Sequence, residues 1–200
     1  MARAQRRVGA ENSATRELIL EATEQLILDQ GYAAVSTRRV AARAGLKPSL
    51  VHYYFPTTDD LLLAVSRRGA DDSDRLIAEA LASDDPLGEL WKFLLDTSRT
   101  VMALEFMALA NRREALRDHM AEHCRQMRER EVKIFRELIG DRLNGADGLT
   151  PEALSVVLAG IGRAIIMEEN LGVVSGHEAA KAFVEKWLDE LAPGRDANRQ

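Results

Sequence analysis

Ser49, His52 and Tyr53 are the side chains of this 200-residue protein best suited to reading another molecule. A hydroxyl, an imidazole and a phenol spaced i, i+3 and i+4 share one face of a helix. Each can exchange hydrogen bonds with the edge of a DNA base. Pro48 stands at the start of that segment and Tyr54 follows it. Thr37 and Arg38 open a basic stretch just before, Lys47 lies between the two, and Thr58 lies just beyond. These types suit contacts to phosphate oxygens, which fix register rather than sequence. His119, His123 and Cys124 form a second candidate group. Histidines at i and i+4 can reach one metal ion, but Cys124 lies about 100° round the helix from His123. Core or solvated histidines account for them as well, and no metal or other cofactor is expected. The sequence has no G-x-S-x-G elbow, phosphate loop, H-E-x-x-H stretch or Glu-x-x-His pair. No catalytic activity is expected.

The elements that must position these residues lie within STRRVAARAGLKPSLVHYYFPTTDDLL, Ser36 to Leu62. Ser36 can cap a first short helix by accepting a free backbone N–H. Val40, Ala41 and Ala44 fall on its inward face. Gly45 ends it, since glycine takes a positive φ without steric cost. Pro48 suits the first position of a second helix, where its missing N–H is not needed. Val51 and Phe55 point inward from that helix, near Leu46, and Ser49, His52 and Tyr53 face outward. A buried inner face, a polar-aromatic outer face and a basic preceding helix describe a helix-turn-helix, whose second helix enters the DNA major groove.

From about Arg16 to about Leu63 the chain resembles the TetR family of bacterial transcriptional regulators. The resemblance rests on a hydrophobic first helix ending in DQGYAAVS, the AARAGLKPS turn and the HYYFPTTDDLL exit. Tyr54, Phe55 and Pro56, followed by an acidic helix start and Leu61-Leu62, are its most specific part. Lys47 stands where the family usually has a small hydroxyl residue. Thr58, suited to cap the next helix, stands where the family usually has a basic one. Lys47 supplies a replacement charge.

The charge distribution agrees with a DNA reader carried on another domain. Net charge is −5, yet Met1 to Arg68 hold 10 Lys and Arg against 7 Asp and Glu, while the remainder holds 17 against 25. Cys124 is the single cysteine, which excludes an intrachain disulfide and suits a reducing cytoplasm. No apolar run of about 18 residues exists, so no membrane partner is expected. The N-terminal MARAQRRVGAENS reads as a flexible arm. Its Arg3, Arg6 and Arg7 either reach phosphates or the minor groove, or form a solvated tail.

The remaining chain reads as helix throughout, with no strands or repeats. Periodicity predicts helices over about 14–29, from Thr58 past Arg68 toward Leu81 with a break near Gly69, over 87–97, 100–110 and 113–143. Residues 144–149 read as a turn. Thr150 and Pro151 start another helix, and Ser175 with Glu178 form a capping box for the last. The two C-terminal helices carry apolar stripes that include Leu154, Val157, Leu158, Ile161 and Ile165, then Phe183, Val184, Trp187 and Leu191. Gly160 and Gly162 allow close backbone approach. Such stripes fit a bundle core or a dimer seam, and pairing over a palindrome favours the seam. The resemblance implies a four-helix interface built from the last two helices of each subunit.

The five methionines after Met1 fall between Met102 and Met167. Met102, Phe106, Met107, Met120, His123 and Met127 join Trp91, Leu94, Leu95 and Ile165 on helices expected to converge. Flexible thioethers suit an adaptable apolar pocket, although plain core gives the same spacing. The resemblance implies that these residues bind an inducer, here a largely apolar small molecule. The expected protein is all-α: residues 1–57 an arm and three-helix helix-turn-helix domain, 58–192 a helical ligand-binding and dimerisation domain, 193–200 a disordered tail. Its expected function is a cytoplasmic, homodimeric repressor that binds a palindromic operator in double-stranded DNA and is released by the effector. The alternatives are a constitutive or architectural DNA binder and, behind it, a helical metal sensor or enzyme.

Overall fold

The computed structural model describes residues 13–140 and 149–192. The N-terminal arm, most of the turn at 144–149 and the tail from 193 lie outside the described residues. Among the described residues every regular element is a helix: α1 Ala14–Gln30, a 3₁₀ turn Tyr32–Ala34, α2 Thr37–Ala44, α3 Pro48–Tyr54, α4 Thr58–Leu81, α5 Pro86–Leu94, α6 Thr97–Ala110, α7 Glu114–Leu138, α8 Pro151–Glu169 and α9 His177–Leu191.

Local chemistry sets most of the boundaries. Ser13 Oγ accepts the Arg16 N–H at the start of α1. Ser36 Oγ accepts the Arg39 N–H at the start of α2, and Gly45 closes α2 at φ 66°, ψ 27°. Pro48 is the first residue of α3. Asp85 caps α5 through the Gly88 N–H, and Asp96 caps α6 through the Arg99 N–H at 2.8 Å. The Asp96 cap starts α6 three residues before Thr100. Thr150 caps α8.

Three expected features differ. The cap of α4 is Thr57, not Thr58: Thr57 Oγ1 accepts the Asp60 N–H at 3.0 Å while Asp60 Oδ2 accepts the Thr57 N–H at 3.0 Å. This reciprocal pair satisfies two otherwise free donors. α4 also runs unbroken through Gly69. A mid-helix glycine costs about 1 kcal/mol, and the buried Leu61, Leu62 and Val65 before it and Ile77 after it hold the helix through the site. Finally, Ser175 does not cap α9. Gly176 takes the N-cap position at φ 86° with no side-chain hydrogen bond.

The chain divides into two compact units. The first holds the described residues to Ala70 together with Met102–Met120, and the second holds Asp71–Val101 and the described residues from Ala121 onward. This division differs from a boundary at residue 57. Three short helices close too little apolar surface alone. Leu61, Leu62 and Val65 of α4, Phe106 and Leu109 of α6 and Leu116 of α7 complete their core with Ile19, Val40 and Val51.

The second core gathers Ile77, Leu90, Trp91, Phe135, Leu154, Leu158, Val184 and Leu188. Helix α5 packs on both α8 and α9. At Gly162 the contact is close: a Cβ there would lie 2.7 Å from the carbonyl oxygen of Leu94. Gly160, by contrast, has open space at that position.

Candidate DNA-reading site

The candidate reading face is built on α3. Val51 and Phe55 are buried beneath it, with Leu46 packed against the same core. These inward anchors leave Pro48, Ser49, His52 and Tyr53 exposed together on the outer face. Tyr53 is 46% exposed and meets Tyr54 edge-on at 5.3 Å between ring centroids. Tyr54 itself is half-buried against the core, so it supports the face rather than forming its outer edge.

The cations around this face divide into two sets. Arg39 donates to Gln30 Oε1, and Arg43 donates to Asp29 Oδ2 at 2.5 Å. Both thereby tie α2 to the end of α1. Arg38 and Lys47 are exposed. Thr37, the first residue of α2, and Thr58, the first of α4, are half-buried. Asp59 and Asp60 occupy the first turn of α4, where negative charge suits the helix dipole. Arg113, just before α7, pairs with Asp59. Such an arrangement could present hydrogen-bonding tips to base edges, with the exposed Arg38 and Lys47 as cations for phosphates.

Residues 19–65 match the family described as bacterial regulatory proteins, tetR family. The HTH-type transcriptional regulator BetI of Rhizobium meliloti (strain 1021) is 30% identical over 122 residues, 56% of this chain and 60% of that protein. The chain thus spans less than two thirds of that relative's length. The multidrug binding protein EbrR, solved in complex with malachite green, is 26% identical with a TM-score of 0.60, covering 91% of this chain and 100% of that one. Residues 19–65 are thus similar to the DNA-binding segment of the TetR family. A TetR transcription regulator from Haloarcula marismortui ATCC 43049 shares the fold, with a TM-score of 0.71 at 22% identity, covering 89% of this chain and 98% of that one.

The residues expected to line one effector pocket fall into two cores. Met102, Phe106 and Met120 pack with the helix-turn-helix in the first unit. Trp91, Leu94, Leu95 and Met127 pack in the second. Ile165 is buried on α8, and Met107 and His123 are half-buried. Trp91 also lines a depression of about 200 Å³ between α5 and α9, with Asp85, Leu87, Glu185 and Leu188. Its Nε1 is buried without a hydrogen-bond partner among the described residues.

The residues expected at a dimer seam also separate. Leu154 (0% exposed) and Leu158 belong to the subunit's own core, because the face of α8 they share is already covered by α5. Neither can meet a partner. Ile161, Trp187 and Leu191 are partly buried against that same core. Val157 at 41% and Phe183 at 65% exposure face outward, and Val156 and Met167 are exposed too. Phe183 stacks on Trp187 with ring centroids 6.4 Å apart.

Glu131 is an ionisable group buried within the second unit, and the Ser155 hydroxyl donates to it. Burial pushes its carboxyl above the ordinary range. The Ser155 hydrogen bond and the charges of Arg128 and Arg163 oppose that shift. No group of three or more His, Cys, Asp or Glu among the described residues is arranged to hold a metal ion. No helix among them is long and apolar enough to cross a membrane.

Proposed function

We propose that this chain is a TetR-family transcriptional repressor that works in the cytoplasm, binds a palindromic operator as a homodimer and is released by a largely apolar small molecule. The observation that carries the reading is the outer face of α3. Ser49, His52 and Tyr53 stand exposed over the buried anchors Val51 and Phe55, flanked by the exposed Arg38 and Lys47. That is a major-groove reader with phosphate clamps beside it. Residues 1–57 carry the reading function in this proposal, and 58–192 carry dimerisation and effector response.

A homodimer is supported by Val156, Val157 and Met167 on α8 and Phe183 on α9, exposed apolar side chains on consecutive helices. Two identical readers over an inverted repeat gain affinity without new contacts per reader. An effector is supported by the relative solved with malachite green. It is supported too by Trp91, whose indole N–H lacks an acceptor that a ligand would supply. A ligand releases DNA only by binding the DNA-incompetent state more tightly.

One observation favours a constitutive binder as the second reading. Met102, Phe106 and Met120, expected to line the pocket, are occupied in packing the first unit's core. The test selects fragments from random DNA with the purified protein, then measures affinity for the selected site with and without malachite green. An inverted repeat whose affinity falls with the dye supports the repressor. An inverted repeat indifferent to the dye and to co-purified small molecules makes the constitutive binder the better reading. No selected sequence at all removes DNA reading.

A further inference from the structure

The first unit contains a polar contact between elements far apart in sequence that the fold does not need for its core. Glu105, on α6, accepts the backbone N–H of Tyr32 at 2.9 Å through Oε2. Tyr32 opens the 3₁₀ turn that leads from α1 into α2. The first N–H of such a turn has no partner within it. Gly31 precedes it at φ 73°, and a Cβ there would lie 3.5 Å from Glu105 Oε2, so the carboxylate lies directly against the backbone of this connector. On the far side of the connector, Ala34 is buried and Val35 packs on the core that holds Val40 of α2 and Val51 of α3.

We propose that Glu105 is a positioning residue: its carboxylate latches α6 to the α1–α2 connector and thereby sets the pose of α2 and α3 for DNA. The Tyr32 amide is the point of purchase. A charge-assisted bond to a backbone amide is among the stronger single contacts available to a side chain. Two further contacts from Met102–Met120 act on α4 and leave the connector alone. Arg113 pairs with Asp59, and the Ser66 hydroxyl donates to Met120 Sδ at 3.4 Å. The connector therefore depends on Glu105 for its polar tie to α6. Any movement of α6 is passed to the reading helices through this carboxylate. The assignment rests on the DNA-reading proposal for its consequence, but the latch itself is tested without DNA.

The experiment compares Glu105→Ala, Glu105→Asp and Glu105→Gln in the full chain. Asp keeps the charge and loses reach; Gln keeps reach and an acceptor oxygen and loses the charge. Amide hydrogen exchange is measured at Tyr32, Val40 and Val51, alongside melting temperature and affinity for the selected DNA. The latch predicts exchange at Tyr32 roughly tenfold or more faster in the Ala and Asp variants. Exchange at Val40 and Val51 stays as in wild type, and Gln restores Tyr32 to within about threefold. DNA affinity follows the same order while melting temperature does not. Unchanged Tyr32 exchange in Glu105→Ala overturns the latch, even if stability falls. Faster exchange with equal DNA affinity in all four proteins overturns the positioning role. If wild type selects no DNA, the exchange data still decide the latch, and the reading proposal fails separately.

Discussion

The guanidinium of Arg16 sits 5.3 Å above the ring centroid of Phe55. The contact joins the first turn of α1 to the residue that ends α3, so the start of the first helix braces the end of the reading helix. A partly desolvated cation over an aromatic face contributes about 1 kcal/mol. Arg16→Ala should lower stability in urea by about that amount, and Arg16→Lys should recover part of it. Arg16→Met keeps most of the apolar stem without the charge. A Met variant as stable as wild type would assign the effect to packing instead.

Tyr53→Ala should relax sequence preference without changing the melting temperature, since this ring is exposed and carries no core packing. Arg38→Ala should weaken binding evenly across sequences and flatten the salt dependence by about one unit, the effect of one lost phosphate contact. Affinities on selected and scrambled DNA at several salt concentrations separate the two. Variants that melt normally and bind as wild type would remove these residues from the reading face.

Outward and inward apolar residues on the C-terminal helices should behave in opposite ways. Val157→Glu and Phe183→Glu place a charge on an exposed face, so each monomer should stay folded while dimerisation is lost. Leu154→Ala should cost about 2–5 kcal/mol in stability, because that side chain is fully buried. Sedimentation and thermal melts give both readouts. A dimer that survives both charge variants with undiminished affinity places the seam elsewhere.

Glu131 makes stability depend on pH with a definite sign. Its folded pKa is raised, chiefly by burial, so the folded chain holds the proton more tightly than the unfolded chain does. That contribution is present below the unfolded value of about 4.3. It is lost as pH rises through the raised folded value. Glu131→Gln keeps an acceptor for Ser155 and removes the charge. It should melt higher than wild type at neutral pH and show no such gain near pH 4. A gain of equal size at both pH values would trace the effect to something other than ionisation.

The helix-turn-helix was legible because its signals are local. Ser36, Gly45 and Pro48 each act on backbone within four residues, and Val51 and Phe55 declare the inner face by spacing alone. The cap of α4 went to Thr57 because adjacent threonines offer the same hydroxyl, and only the reach of Asp60 chooses between them. The α8 stripe showed that Leu154, Val157 and Leu158 are apolar, but not which of them α5 already covers. Periodicity likewise could not divide Met102, Phe106 and Met120 from Trp91 and Met127, since two cores draw on similar side chains. Glu105 and Tyr32 stand 73 positions apart. A carboxylate in mid-helix carries no mark of a backbone partner so distant.

Gly162 leaves less latitude than any of these. The carbonyl oxygen of Leu94 stands where its first side-chain carbon would go, and a backbone oxygen cannot swing aside as a side chain does. In a library containing all twenty amino acids at every position, 162 should return a single letter among folded clones. Gly160, two residues away and facing open space, should accept small residues freely. The spacing between α5 and α8 is in that sense written as the lack of an atom. Divergent descendants of this chain could alter almost any contact in the second core before they could alter that one.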